Sequence, residues 1–111
     1  MIKQKEVDAR LQGCLAMEDN MKSLGCLKKA VRKFSQAEGV CRPRIVLLTQ
    51  DLCDSCKEEK SSLQKSIDAG EVVEVSLEMP EGRDIARRNG IDFVPAVLLL
   101  DCNNNLIEPA V

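Results

Sequence analysis

The chain has 111 residues, enough for one small domain whose core needs neither metals nor disulfides. It is 44% hydrophobic and 31% charged, a globular composition, but it holds only two Phe and no Tyr or Trp, so its core has to be Leu, Val, Ile and Met. The net charge of −2 draws in neither nucleic acid nor an anionic membrane, the shortage of aromatics argues against stacking on single strands, and the absence of His excludes His-dependent catalysis and mixed Cys/His metal sites.

Residues 1–38 read as helical, with no Pro and much Lys, Glu, Gln, Leu, Met and Ala. Met17, Met21, Leu24, Leu27, Val31 and Phe34 recur at spacings of three and four, which puts them on one broad face expected to be buried. Val7, Leu11 and Cys14 extend the spacing but drift round the cylinder. A break is therefore expected near Gly13 or Asp19-Asn20, with a main helix over residues 16–37 stopped at Gly39. Lys28, Lys29, Arg32 and Lys33 cluster on this helix and read as a solvated face. The opening "MIKQKEVDAR" is mostly charged, with no apolar block of leader length behind it. The longest apolar run, "VPAVLLL", suits a buried strand better than a membrane span, so a cytoplasmic location without membrane contact is expected.

From Arg44 the texture changes. "RIVLLT" is a nearly continuous apolar run, as a central parallel strand needs. "CKEEKSSLQKSIDAG" predicts a helix with Cys56, Leu63 and Ile67 on one face and Gly70 as its stop. "EVVEVSLE" reads as a second strand ended by Pro80, and "EGRDIARRNG" as a short helix closed at Gly90. "PAVLLLD" reads as a third strand, with Val97 to Leu100 alternating across both faces. After the turn "NNN", "LIEPAV" can start a fourth, antiparallel strand. Strands alternating with helices imply an α/β domain with a mainly parallel sheet. The expected organisation is a helical segment over residues 1–40 packed on a core of residues 41–111.

The chemistry concentrates in "DLCDSCKEEK", residues 51–60. The order strand, short loop, helix sets Cys53 at a helix N-terminus and Cys56 one turn inside. Unpaired backbone N–H groups and the helix dipole there favour a thiolate at Cys53, while Asp54 beside it opposes that charge. Cys56 lies within bonding reach. A cytosolic chain is not expected to carry a static disulfide framework. Cys14 and Cys26 accordingly read as small buried hydrophobes, and Cys41 and Cys102 as unreactive residues flanking the first and third strands. A structural zinc site would want a second close ligand pair, which these single, widely spaced cysteines do not offer, so no metal and no cofactor are expected.

"DIARRNGIDFVPAVLLLD" resembles the matching stretch of the thioredoxins: a short helix, a Gly-Ile link, a Val-Pro pair, an apolar strand and a turn. With the CxxC upstream, the resemblance to the thioredoxin/glutaredoxin superfamily covers roughly residues 43–108. It implies a thioredoxin-like three-layer fold with a mixed four-stranded sheet and flanking helices, here with an N-terminal helical extension and no C-terminal helix. It implies a thiol–disulfide oxidoreductase, with Cys53 as nucleophile and Cys56 as resolving thiol, acting on protein or small disulfides. Val94 and a cis Pro95 would lie beside the CxxC and dock an extended substrate. The partners it implies are a disulfide-containing protein and a reductase or thiol donor. Leu52 stands where thioredoxins carry Trp, and Leu47 where they carry a buried acid that assists the resolving cysteine. The alternatives are a non-catalytic module of the same fold, whose N-terminal helix and basic cluster hold a protein partner, and a Cys-based metal-binding protein. Without a final helix, part of residues 1–38 is expected to cover the exposed sheet face, within the chain or swapped across a homodimer.

Overall fold

The structure is a computed structural model and describes residues 1–110. Its elements are α1 (Gln4–Leu15), α2 (Asn20–Lys33), β1 (Arg44–Thr49), α3 (Asp54–Ser62), α4 (Gln64–Asp68), β2 (Val72–Ser76), α5 (Pro80–Asn89) and β3 (Ala96–Leu100). The sheet runs β2-β1-β3, with β1 parallel to β2 and antiparallel to β3. Every residue of β1 from Ile45 to Thr49 is buried, as a central strand covered on both faces must be. Alternation along β1 sends Ile45 and Leu47 to one face and Val46 and Leu48 to the other.

The four-stranded sheet expected from the sequence is not formed: among the described residues the sheet has three strands, with five helices around it. Residues 106–110 of "LIEPAV" are described, and Val111 lies outside the described residues. The return begins as a strand, with a single bridge between Leu100 and Leu106 and the Ile107 amide donating to the Leu99 carbonyl at 2.9 Å. It goes no further because α1 takes over the backbone. The Gln12 side-chain amide donates to the Glu108 carbonyl at 3.0 Å and accepts from the Ala110 amide at 2.7 Å. Pro109 between them has no N–H to give a ladder. Gln4 does the same at the other end of α1, accepting from the Cys41 amide at 2.6 Å.

The N-terminal segment is two helices, broken at the Asp19-Asn20 position that the sequence reading named, with α2 shorter than the helix expected over residues 16–37. α1 ends near Ala16, and Asp19 starts α2 by accepting from the Met21 and Lys22 amides at 2.9 and 3.1 Å. The break lets α1 turn Val7, Leu11 and Cys14 into the core beside Leu27 and Phe34 of α2, on the sheet face that carries Ile45, Leu47 and Leu99. Met17 falls in the connection and Met21 on the outer side of the first turn of α2, where it is 86% exposed; neither is buried as the spacing suggested. Leu24 and Val31 are half-buried. α2 stops at Lys33, four residues earlier than expected, as Ser35 bonds back to the Arg32 carbonyl. The helix expected after the CxxC is likewise two, α3 and α4, interrupted at the buried Leu63.

On the opposite face, α5 lays Ile85 against Val46, Leu48 and Val75. Gly82 brings α5 so close to β2 that an added Cβ would collide with the Ser76 carbonyl. Gly25, inside α2, has open space around it. Gly82→Ala should therefore destabilise the fold by about 1–3 kcal/mol, despite the better helix propensity of alanine. Gly25→Ala should stabilise it by about 0.5–1 kcal/mol. Urea denaturation without reductant measures both, and equal effects at the two sites would contradict the packing described.

Candidate functional site

β1 delivers the chain to the site. After Thr49, residues Gln50, Asp51 and Leu52 turn away from the sheet, with Leu52 in the left-handed region at φ 58° and fully exposed. A non-glycine residue held there is uncommon and marks a constrained turn. Cys53 follows as the N-cap of α3, with extended backbone, and its Sγ accepts the Cys56 amide at 3.1 Å. The cap puts the sulfur where a helix presents free N–H groups, so a thiolate formed there gains from both hydrogen bonding and the helix dipole. The Ser55 hydroxyl lies 3.5 Å from the same sulfur.

Two intervening residues in a first helical turn set the Cα atoms of Cys53 and Cys56 5.2 Å apart, within disulfide range, and the two are bonded. Their surroundings are unequal. Cys53 is half-buried and open to an approaching molecule, whereas Cys56 is 3% exposed beneath the helix. Asp54 is the first residue of α3 and is exposed beside Cys53.

The Val94–Pro95 peptide is cis, and both residues are half-buried. It directly precedes β3, whose Ala96 pairs with Leu48, so it lies at the end of the sheet from which the CxxC loop departs. On the β2 side of that end a cleft of about 220 Å³ opens between α3 and the sheet. Both cysteines line it, together with Thr49, Lys57, Lys60 and Glu74; Val94 and Pro95 do not. The cysteine pair thus has the Val-Pro pair toward β3 and a polar cleft toward β2. In the cleft the Thr49 hydroxyl donates to Glu74 Oε2 at 3.1 Å, and Lys60 Nζ lies 3.0 Å from Oε1.

Sequence reasoning missed Glu74 and Lys60. The signal was a carboxylate inside "EVVEVSLE": Glu74 shares a strand face with the buried Val72 and is paired in register with Leu47. It also missed two disulfides. Cys14 and Cys26 join α1 to α2, and Cys41 and Cys102 join the approach to β1 to the exit from β3, so neither pair is made of the unlinked cysteines expected. Cys41 and Cys102 sit almost opposite one another if the β1–β3 register is continued outward, which an antiparallel assignment of the third strand would have exposed. All six cysteines are consumed in pairs, and no group of three or more metal-ligating side chains gathers among the described residues.

No protein-family description matches the chain, and no curated protein matches it.

The three disulfides differ in accessibility. Cys102 is exposed and its partner Cys41 half-buried, whereas each of the other two pairs joins a half-buried cysteine, Cys26 or Cys53, to a buried one, Cys14 or Cys56. Attack by an external thiolate needs a reachable sulfur. Stepwise reduction with dithiothreitol, followed by alkylation and peptide mapping, should find all six cysteines blocked at the outset and Cys14–Cys26 opening after Cys41–Cys102. Opening of Cys14–Cys26 ahead of Cys41–Cys102 would contradict the burial described.

Proposed function

We propose that the chain is a thiol–disulfide oxidoreductase working through Cys53 and Cys56. The observation that carries this reading is the asymmetry of the pair: a half-buried sulfur capping a helix and accepting a backbone amide, bonded to a buried sulfur one turn along. In the dithiol form Cys53 is the nucleophile. Its thiolate attacks a substrate disulfide, displaces one substrate thiolate, and forms a mixed disulfide. Cys56 loses its proton and attacks Cys53 Sγ, releasing the second substrate thiolate, which takes up a proton. The substrate disulfide is reduced and Cys53–Cys56 is formed; a dithiol donor restores the enzyme by the reverse exchange. The direction of net flow is set by the partner's potential.

Kinship with the thioredoxin-like superfamily is part of the proposal. It is supported by the order β1, CxxC, α3, then β2, α5, Val94–Pro95 and β3, around a sheet of three strands. In this reading Val94 and Pro95 lie along the path of a bound peptide. The fully exposed Leu52 and the 62% exposed Phe93 stand next to the two halves of the site and suit a protein substrate better than a small polar one. Three disulfides in a chain of this size favour an oxidising compartment over the cytoplasm that composition suggests. No helix among the described residues is long and apolar enough to cross a membrane.

Reduction of insulin by dithiothreitol, followed by turbidity, tests the activity. The parent protein should accelerate it. Cys53→Ser should lose the acceleration entirely, and Cys56→Ser should accumulate a mixed disulfide on Cys53. Equal rates with and without the parent protein would leave a binding role for the fold instead.

Asp54→Asn removes a negative charge next to the Cys53 thiolate without altering the cap. At an exposed position the effect amounts to roughly 1 kcal/mol or less, so the couple should become more oxidising by roughly 10–20 mV. Equilibration with a glutathione redox buffer measures this, and a shift to more negative potential would contradict the electrostatic account.

A further inference from the structure

α1 and α2 leave a groove between them that the CxxC does not use. It has a volume of about 490 Å³ and is lined by Arg10 of α1, Met17 of the connection, and Lys22, Gly25, Cys26 and Lys29 of α2. The four α2 residues recur at helical spacing and form one stripe. Lys22 and Lys29 stand at its ends, two turns or about 10.5 Å apart along the axis. Between them Gly25 leaves the groove open, because an added Cβ there would meet nothing within 4 Å. Cys26 is bonded to Cys14 of α1, so the bridge fixes α1 and α2 side by side at this point. Met17, 44% exposed, supplies an apolar and deformable wall.

The cations of the groove have no counter-charge. Residues 1–38 hold eight Lys and Arg against five Asp and Glu, in a chain whose net charge is −2. Most of the basic cluster singled out in the sequence is already engaged. Lys28 donates to the Ser66 hydroxyl at 3.1 Å, Arg32 pairs with Glu71 at 3.4 Å, and Lys33 lies over the Phe34 ring. Among the described residues, Arg10, Lys22 and Lys29 enter no ion pair and no acidic side chain lines the groove. Glu18 lies next to Met17 but outside the lining, and Asp19 is taken up in capping α2. The separation of Lys22 and Lys29 matches two negative charges set along a chain better than one small anion. An extended peptide rises about 3.3 Å per residue, which sets carboxylates three residues apart at about the same separation.

We propose that this groove docks an acidic peptide segment of a partner protein, in extended conformation, with two carboxylates three residues apart and apolar residues between them. The carboxylates meet Lys22 and Lys29, and the apolar residues lie over Gly25 against Met17. Arg10 closes the groove from α1 with a planar guanidinium, whose fork of donors matches a carboxylate. The inference does not depend on the thiol–disulfide reading, since none of these residues belongs to the cleft beside the CxxC.

The test is fluorescence anisotropy with the oxidised full chain at low ionic strength. The probe is a short fluorescein-labelled peptide with two glutamates separated by an alanine and a leucine. The parent protein should bind it saturably, and the same peptide with glutamines in place of the glutamates should not bind. Lys22→Gln and Lys29→Gln should each weaken binding about two- to fivefold, as the loss of one exposed ion pair does, and together about tenfold. Gly25→Leu keeps every charge and fills the middle of the stripe, so it should weaken binding by about tenfold or more. Lys65→Gln, an equal loss of charge on α4, should leave the affinity within about twofold of the parent. The proposal is overturned if the parent does not bind the peptide. It is overturned too if Lys65→Gln weakens binding as much as Lys22→Gln, or if Gly25→Leu binds as tightly as the parent, since either result means diffuse attraction without a seat. Displacement of the peptide by inorganic phosphate at matched ionic strength would mark a site for any small anion and reject the peptide. Binding of phosphatidylserine vesicles without binding of the peptide would assign the surface to membranes and reject it as well.

Discussion

β1 is buried on both faces and bonded on both edges, and the rest of the molecule is arranged around that fact. Its apolar residues cannot be satisfied by one helical layer. α1, α2 and Leu63 meet Ile45 and Leu47, while α5 meets Val46 and Leu48. A strand fixed in this way has little freedom at its end, so the turn after Thr49 always starts from the same place. Cys53 therefore reaches the N-terminus of α3 in a defined position, with Val94–Pro95 set at the same end by the pairing of Ala96 with Leu48. The chemistry assigned to the CxxC is local, but its geometry is inherited from the burial of β1.

Disulfides add a second layer of constraint. On the loop-closure account, Cys14–Cys26, twelve residues apart, contributes about 3 kcal/mol, and Cys41–Cys102, sixty-one apart, about 4 kcal/mol, by restricting the unfolded chain. Those are large amounts for a domain of this size, where net stability is typically about 5–15 kcal/mol. Neither bridge touches the cleft, and Cys41–Cys102 lies at the far end of the sheet from Cys53–Cys56. Under the proposed function, the pair that would exchange is thus kept apart in space from the two that hold the frame.

Local patterns in the sequence were informative wherever one element decided the outcome. "RIVLLT" and "PAVLLLD" read as strands because continuous apolar runs can be buried on both faces, and the CxxC placed itself at the strand-to-helix junction because its spacing and the loop before it allow little else. What the sequence hid depended on contacts between distant residues. The fourth strand failed because Gln12, nearly a hundred positions away, bonds the backbone that a strand partner would have used. Met17 and Met21 stayed exposed, although the break at Asp19-Asn20 was read from the sequence, because α1 packs beside α2 and fills the buried positions with Val7 and Leu11. The pairing of Cys41 with Cys102 became visible only once β1 and β3 were known to be antiparallel neighbours. In the site, Cys53, Cys56 and Asp54 were legible from one decapeptide, whereas Glu74 comes from another strand and joins the cleft only through the parallel register of β1 with β2.

The link between Cys41 and Cys102 also defines how the molecule would respond to tension. β1, α3, α4, β2, α5 and β3 all lie within the covalent loop it closes, while α1 and α2 lie outside. A pull applied to residues near the two ends of the chain would load α1, α2 and the short C-terminal return first. It would then pass from Cys41 to Cys102 through sulfur, bypassing the sheet. The strand pairs and the CxxC between them would be mechanically sheltered, so that a molecule stretched far enough to shed its helical cover would still carry an intact β1 and an undisturbed cysteine pair.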